Sequence, residues 1–344
     1  FIIDALKQRL DHPIFGYTIE PERYRPSIVE WLYNRHGWKI ESGWISFIPG
    51  IVKGIGMAIS ALLQPGDKII IQPPVYHPFR MVAEHNGCEV VENPLKQEVD
   101  GSYTMDLEHL DSIAAGCKML ILANPHNPVG ILWSKETLIR LAEICSKHNI
   151  IVISDEIHFP LTDPGKICVP FASVSDKCRL NSVTCVSASK AFNLAGIGAA
   201  CAIVPDEKLC HKVWRGINTD EVGEPNAFAV SASIAAYTQC DEWLGEVREY
   251  IFENKQYCYD FIEKNIPGLK VIRGEATYLM WVDASAYTDD SRVLQEQIFD
   301  RTKLYVSSGA SYGECGKCFL RINLATTKAN VIDGMERLKK ALMG

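Results

Sequence analysis

Ser187-Ala188-Ser189-Lys190-Ala191-Phe192-Asn193-Leu194-Ala195-Gly196-Ile197-Gly198 is the stretch from which the fold is read. The apolar run Val183 to Val186 precedes it and has the length and composition of a buried strand. A single lysine then stands among small and hydroxyl residues, and two glycines follow. Lysine seldom lies in a core without a partner, yet apolar sequence on both sides draws this one inward. A desolvated amine gives up its proton more readily and can then attack a carbonyl. Lys190 is therefore a candidate nucleophile placed just after a strand.

Working outward, further apolar runs occur at Ile45 to Ile48, Lys68 to Gln72, Met119 to Ala123, Ile150 to Ile153 and Ala199 to Val204. Segments of helical period separate them, such as Lys135 to Lys147 with Leu138, Leu141 and Ile144. Apolar strands alternating with helices predict an α/β fold whose largely parallel sheet is covered on both faces. Such sheets bind ligands beyond the carboxyl ends of their strands. Tyr76, Asn124, Asp155 and Ser187 all fall just after strands, and this shared position is the main structural pointer to a site.

Each neighbouring motif has a plain reading and a chemical one. Pro49-Gly50 leads from a strand into a helix with Ile51, Ile55, Ile59 and Leu62, so the free N–H groups of Ile51 and Val52 form a possible anion cradle. Asp155, followed by Glu156-Ile157-His158, is either a helix cap or a carboxylate that partners a ring nitrogen. Asn124-Pro125-His126-Asn127-Pro128-Val129-Gly130 is a rigid double turn, and Asn127 can present its amide to a ligand oxygen. Tyr76, behind Pro73-Pro74-Val75, is a core tyrosine or a ring that lies on a planar ligand. Arg321 lies between Leu320 and Ile322 in a strand pattern and needs a carboxylate partner if buried.

The 344 residues hold 35 Lys+Arg against 42 Asp+Glu, a net charge of −7, with no basic run that would suit nucleic acid. No apolar run is long enough to span a bilayer, and no signal peptide is read at Phe1-Ile2-Ile3, which resembles a helix entered part-way. Among twelve cysteines, Cys145, Cys185 and Cys201 read as buried hydrophobes of a reducing, cytoplasmic setting. Cys315-x-x-Cys318 lacks the second ligand pair that zinc needs. Past Tyr237 the texture becomes α+β: a long helix over Trp243 to Ile266, strands at Leu269 to Ile272, Tyr278 to Val282 and Phe319 to Leu324, and a last helix over Ala329 to Leu342. The division expected is an N-terminal segment over 1–21 near a dimer interface, a large domain over 22–240 and a small domain over 241–344.

Taken in order, Asn-Pro-x-Asn-Pro-x-Gly, Asp-Glu-Ile-His, Ser-x-Ser-Lys and the late strand arginine resemble pyridoxal 5'-phosphate enzymes of the aspartate aminotransferase type (fold type I) over nearly the whole chain. More closely, Ile14-Phe15-Gly16-Tyr17-Thr18, Pro73-Pro74-Val75-Tyr76, Ser154-Asp155-Glu156-Ile157-His158 and Leu320-Arg321-Ile322-Asn323-Leu324-Ala325 resemble the cystathionine β-lyase, or cysteine C–S lyase, branch of MalY/PatB type. The resemblance implies a cofactor held covalently by Lys190, its ring nitrogen met by Asp155, and its ring hydroxyl reached by Asn127 and His158. Tyr76 would stack on the ring and complete the catalytic set with Lys190 and Asp155. Ile51, Val52, Ser187 and Ser189 would hold the phosphate, and Arg321 the substrate carboxylate. Tyr17 would reach the phosphate of a neighbouring subunit in a homodimer with shared sites.

Two departures accompany the resemblance. Position 198, eight after the lysine, is glycine where aminotransferases of this fold usually carry a phosphate-binding arginine, which fits the lyase branch. Family members also carry a tryptophan-containing segment ahead of the position matching Phe1. The expected activity is β-elimination from a cysteine thioether such as cystathionine, with a small-molecule substrate and no nucleic-acid or membrane partner. An aminotransferase is the alternative, and a purely regulatory role would need a DNA-binding domain.

Overall fold

The computed structural model describes residues 1–219 and 221–344. Its largest element is a sheet whose strands are short and mostly apolar. They are β1 (Ile45–Ile48), β2 (Lys68–Ile71), β3 (Glu89–Glu92), β6 (Cys117–Ala123), β7 (Ile151–Asp155), β8 (Ser182–Val186) and β9 (Ala200–Ile203). Between β3 and β6 lies a small hairpin of β4 (Lys96–Gln97) and β5 (Tyr103–Thr104). The order across the large sheet is β1-β9-β8-β7-β6-β2-β3. β3, β2, β6, β7 and β8 run parallel, whereas β9 is antiparallel to both β8 and β1. The parallel core is as expected. At β9 the direction reverses: the chain turns back through Ala195–Ile197 and Gly198, where φ is +66°, and β9 is held between β8 and the distant β1.

Helices cover both faces. α1 (Ile2–Leu10) buries none of its residues, and α2 (Tyr24–His36) packs Tyr24, Ile28, Trp31 and Leu32 inward. Sequence reading starts α2 at Pro26; the helix begins at Tyr24, so that Pro26 sits in the first turn, where its missing N–H costs nothing. α3 (Ile51–Leu62) directs Ile51, Ile55, Ala58 and Ile59 onto the sheet. At Gly54 a Cβ would come within 2.3 Å of Ile48 Cδ1, so a side chain there would have to displace Ile48 where α3 lies against β1.

Beyond the helix Asp241–Asn265, a second sheet of order β10-β11-β13-β12 is antiparallel throughout. Its strands are β10 (Lys270–Ile272), β11 (Leu279–Asp283), β12 (Ser307–Ser308) and β13 (Phe319–Asn323). Residues 274–278 strap this sheet to the large one. Gly130 O accepts N–H bonds from Glu275 and Ala276, and Leu161 O accepts one from Thr277. A Cβ at Gly274 would stand 2.6 Å from Val129 O, so the two chains approach at backbone distance. Lys255, 1% exposed, donates to Asp163 at 2.5 Å and to Ala276 O at 3.3 Å, fixing the same strap from the helix side. Among the described residues no helix is long and apolar enough to cross a membrane.

Candidate active site

Sheet order decides where a crevice opens. From β2 the chain moves outward to β3, and from β6 it moves the other way to β7 and β8. The connections therefore part between β2 and β6, leaving a gap above their carboxyl ends. A cavity of about 400 Å³ occupies that end of the sheet. Its walls are the four segments that leave β2, β6, β7 and β8, with the N-terminus of α3 and the edge of the second sheet.

Ten of the eleven residues singled out from sequence line this one cavity: Ile51, Val52, Tyr76, Asn127, Asp155, His158, Ser187, Ser189, Lys190 and Arg321. Tyr17 does not. It is 96% exposed on the loop after α1, with Ile14, Phe15 and Ile19 exposed beside it.

Asp155 ends β7 and is 8% exposed. Its Oδ1 accepts one N–H bond, from Ile157 at 3.1 Å. Burial pushes its pKa up to about 6, against smaller lowering effects of the Ile157 N–H and of Lys190. Glu156 beside it is pushed up to about 7, chiefly by burial. His158 is pushed down to about 3 by burial and then by Lys190 and Arg321, so its imidazole is neutral. Its Nδ1 is buried with no hydrogen-bond partner among the described residues.

Lys190 stands on the turn after β8. Phe192 N–H donates to Ala188 O and Leu194 N–H to Ser189 O, and Asn193 takes φ +55° to close the turn. Ala188, Ala191 and Phe192 are buried around it. Beside it, Ser187 Oγ donates to Ala199 O at 2.7 Å and lies 2.9 Å from Ser189 Oγ. Gly50 precedes α3 with φ +140° and no side-chain cap, leaving the first N–H groups of the helix open to the cavity. At Gly198 a Cβ would stand 3.4 Å from Pro49 O, at the same wall.

Arg321 projects from β13, with its guanidinium 5.0 Å from the Tyr312 ring centroid. It donates to Asn127 Oδ1 at 3.4 Å and Ser307 Oγ at 3.5 Å, both long bonds. Among the described residues it forms no salt bridge, nor do Asp155 and Lys190. The internal acid that a strand arginine often finds is absent from those residues, so the planar fork remains available to a ligand carboxylate.

Sequence reading missed Tyr278 and Asn323, which also line the cavity. Tyr278 meets His158 edge to face at 5.7 Å. Asn323 follows Arg321 by two in a strand and so shares its face, a signal that strand period alone carries. Tyr278 had no such signal: it reaches the site because the strap at 274–278 is pinned to Gly130 and Leu161.

A flat anionic ligand with a ring nitrogen, an aldehyde and a phosphate fits these walls. The uncapped N-terminus of α3 and the Ser187 and Ser189 hydroxyls suit the phosphate, and the buried carboxylate of Asp155 suits a protonated ring nitrogen. The orphaned His158 Nδ1 leaves a further polar contact to be met.

The family model of class I and II aminotransferases matches residues 3–338. The chain is 40% identical to cystathionine beta-lyase PatB of Bacillus subtilis over 343 residues, 99% of this chain and 88% of that protein. It superposes with a TM-score of 0.95 on cystalysin from Treponema denticola, which contains pyridoxal 5'-phosphate, at 32% identity over 99% of this chain and 87% of that one. The PLP-bound C–S lyase from Staphylococcus hominis gives a TM-score of 0.93 at 31% identity, covering 100% of this chain and 88% of that one.

Asp155 and Glu156 set a pH dependence of stability. Their raised folded values mean that the native state holds these protons more tightly than the unfolded chain does. The contribution is complete below the ordinary carboxyl value of 3.8 for Asp155 and is lost as pH rises through about 6. In protein stripped of cofactor, Asp155→Asn should flatten the decline in unfolding free energy between pH 4 and 6. At pH 8 it should raise stability by roughly 2–3 kcal/mol. Urea titrations across pH measure this; an unchanged pH profile in the variant contradicts the burial of an ionisable Asp155.

Proposed function

The chain belongs to the class I and II aminotransferase family, and we propose that within it the protein is a pyridoxal-phosphate-dependent carbon–sulfur lyase acting on cysteine S-conjugates such as cystathionine. The observation that carries this reading is one cavity lined at once by a lysine, a buried carboxylate and an arginine, none of them salt-bridged among the described residues. The PatB and C–S lyase relatives support thioether cleavage. Glycine at 198 supports it against an ordinary aminotransferase.

When bound, pyridoxal phosphate supplies an aldehyde for amine exchange and a ring that accepts the electrons of a departing Cα proton. Asp155 would face the protonated ring nitrogen and hold that proton in place, and the positive partner would offset the burial that raises the carboxyl's pKa to about 6. The N–H groups of Ile51 and Val52, with Ser187 and Ser189, would anchor the phosphate, Tyr76 would stack on the ring, and Asn127 and His158 would reach its hydroxyl. Arg321 grips the substrate α-carboxylate through its fork, its rotation limited by Tyr312. Lys190 Nζ takes the Cα proton and passes a proton to the leaving sulfur.

The balance is simple. The Cα–H and Cβ–S bonds break, a Cα–Cβ double bond forms, and the thiol leaves with a proton. The released enamine takes up water to give pyruvate and ammonia. Cystathionine offered to the loaded enzyme should release pyruvate faster than keto acids exchange amino groups with the same substrate. Faster exchange would make the protein an aminotransferase.

The exposed apolar residues of segment 1–19, Phe1, Ile3, Leu10, Phe15 and Tyr17 among them, support a homodimer in which Tyr17 serves the partner's phosphate. Mixing Lys190→Ala and Tyr17→Phe chains in equal amounts tests this. One site of each mixed dimer then combines intact Lys190 with intact Tyr17, so about a quarter of all sites should regain full activity. Activity no higher than that of the separate parents, in a protein shown to be dimeric, assigns Tyr17 to its own chain.

A further inference from the structure

Glu156 is fully buried, lies next to Asp155, and has no part in the chemistry above. Its Oε1 accepts three hydrogen bonds: from Phe171 N–H at 2.7 Å, from Ser154 Oγ at 2.9 Å and from Asn124 Nδ2 at 3.2 Å. Its Oε2 has no partner among the described residues. A buried carboxyl with every donor gathered on one oxygen is a junction and not a solvated charge. The three donors come from three separate segments: the end of β7, the turn after β6, and the chain entering the short helix Phe171–Ser173.

The turn after β6 is bound closely to this junction. Asn124 Nδ2 also donates to Val169 O at 2.9 Å, its Oδ1 accepts from Cys168 Sγ at 3.4 Å, and its backbone N–H donates to Asp155 O at 2.9 Å. Glu156 N–H in turn donates to Cys185 O on β8. Asn127 lies three residues along the turn from Asn124, and Asp155 and His158 flank Glu156 on either side. We propose that Glu156 is a positioning residue: its Oε1 ties the turn carrying Asn127 to the segment carrying Asp155 and His158, and so sets the spacing of the groups that face the cofactor. The inference rests on the reading of the cavity as a pyridoxal-phosphate site.

Glutamine keeps an oxygen at Oε1 and removes the charge, whereas alanine leaves three buried donors unmet. Cofactor affinity, read by titrating stripped protein with pyridoxal phosphate, and kcat and KM for pyruvate release separate the two. Glu156→Ala should weaken cofactor binding and lower kcat by roughly 10- to 100-fold, with KM moved less than about threefold. Glu156→Gln should restore both to within about threefold. A folded Glu156→Ala with affinity and kcat within about twofold of wild type overturns the proposal. So does a folded Glu156→Gln as impaired as alanine, since charge and not Oε1 would then be what matters. If Glu156→Ala does not fold, Glu156→Asp, whose shorter arm withdraws the oxygen from its donors, takes its place with the same expected loss and the same overturning result. Affinity is read without substrate. A wild-type protein that binds cofactor but releases no pyruvate therefore counts against thioether cleavage alone, and one that binds none counts against the site reading.

Discussion

A carboxylate at the end of a buried strand, met by a single backbone N–H, is the constraint on which the rest of this molecule turns. Asp155 lies where ionisation is costly, and no lysine or arginine pairs with it among the described residues. Left to itself the group stays protonated well above its ordinary range. A cationic partner inside the cavity lowers the cost of that charge, and the fold keeps space for one. Such a site costs stability in the empty protein and recovers it on binding, as expected where a group is held ready for a ligand.

The topology explains why the other groups gather there. Parallel strands all present their carboxyl ends on one side, so the segments leaving β2, β6, β7 and β8 meet above one edge. The parting of connections between β2 and β6 opens the gap, and Tyr76 and Asn127 stand on either side of it. Arg321 comes from the second sheet, and the strap through Gly130, Gly274 and Leu161 holds that sheet against the first. The proposed catalytic groups and the proposed substrate clamp thus belong to different sheets joined at backbone distance.

Much of this was legible in the sequence because the proposed site residues stand at or within a few positions after apolar runs that read as buried strands. Asp155, and Asn127 and Lys190 on the turns opened by Asn124 and Ser187, announce themselves in this way. Tyr278 and the reversal at β9 were not legible, since both depend on how distant segments pair. Lys255 shows the limit of the lysine argument. It is more buried than Lys190, yet it lies in a helix and is paired with Asp163, a residue 92 positions away that no local pattern identifies. Burial alone does not mark a reactive amine: Lys190 is only half-buried, and what sets it apart is its place on the turn after a strand, at the cavity and without a salt-bridge partner among the described residues.

The central claim is that Lys190 is the residue that joins the cofactor. Borohydride reduction of the protein loaded with pyridoxal phosphate, followed by peptide mapping, reads this directly. The label should fall on the peptide containing Ser187-Ala188-Ser189-Lys190 and be lost in Lys190→Ala. A label on Lys255 or any other lysine, or a protein that takes up no label, contradicts the account.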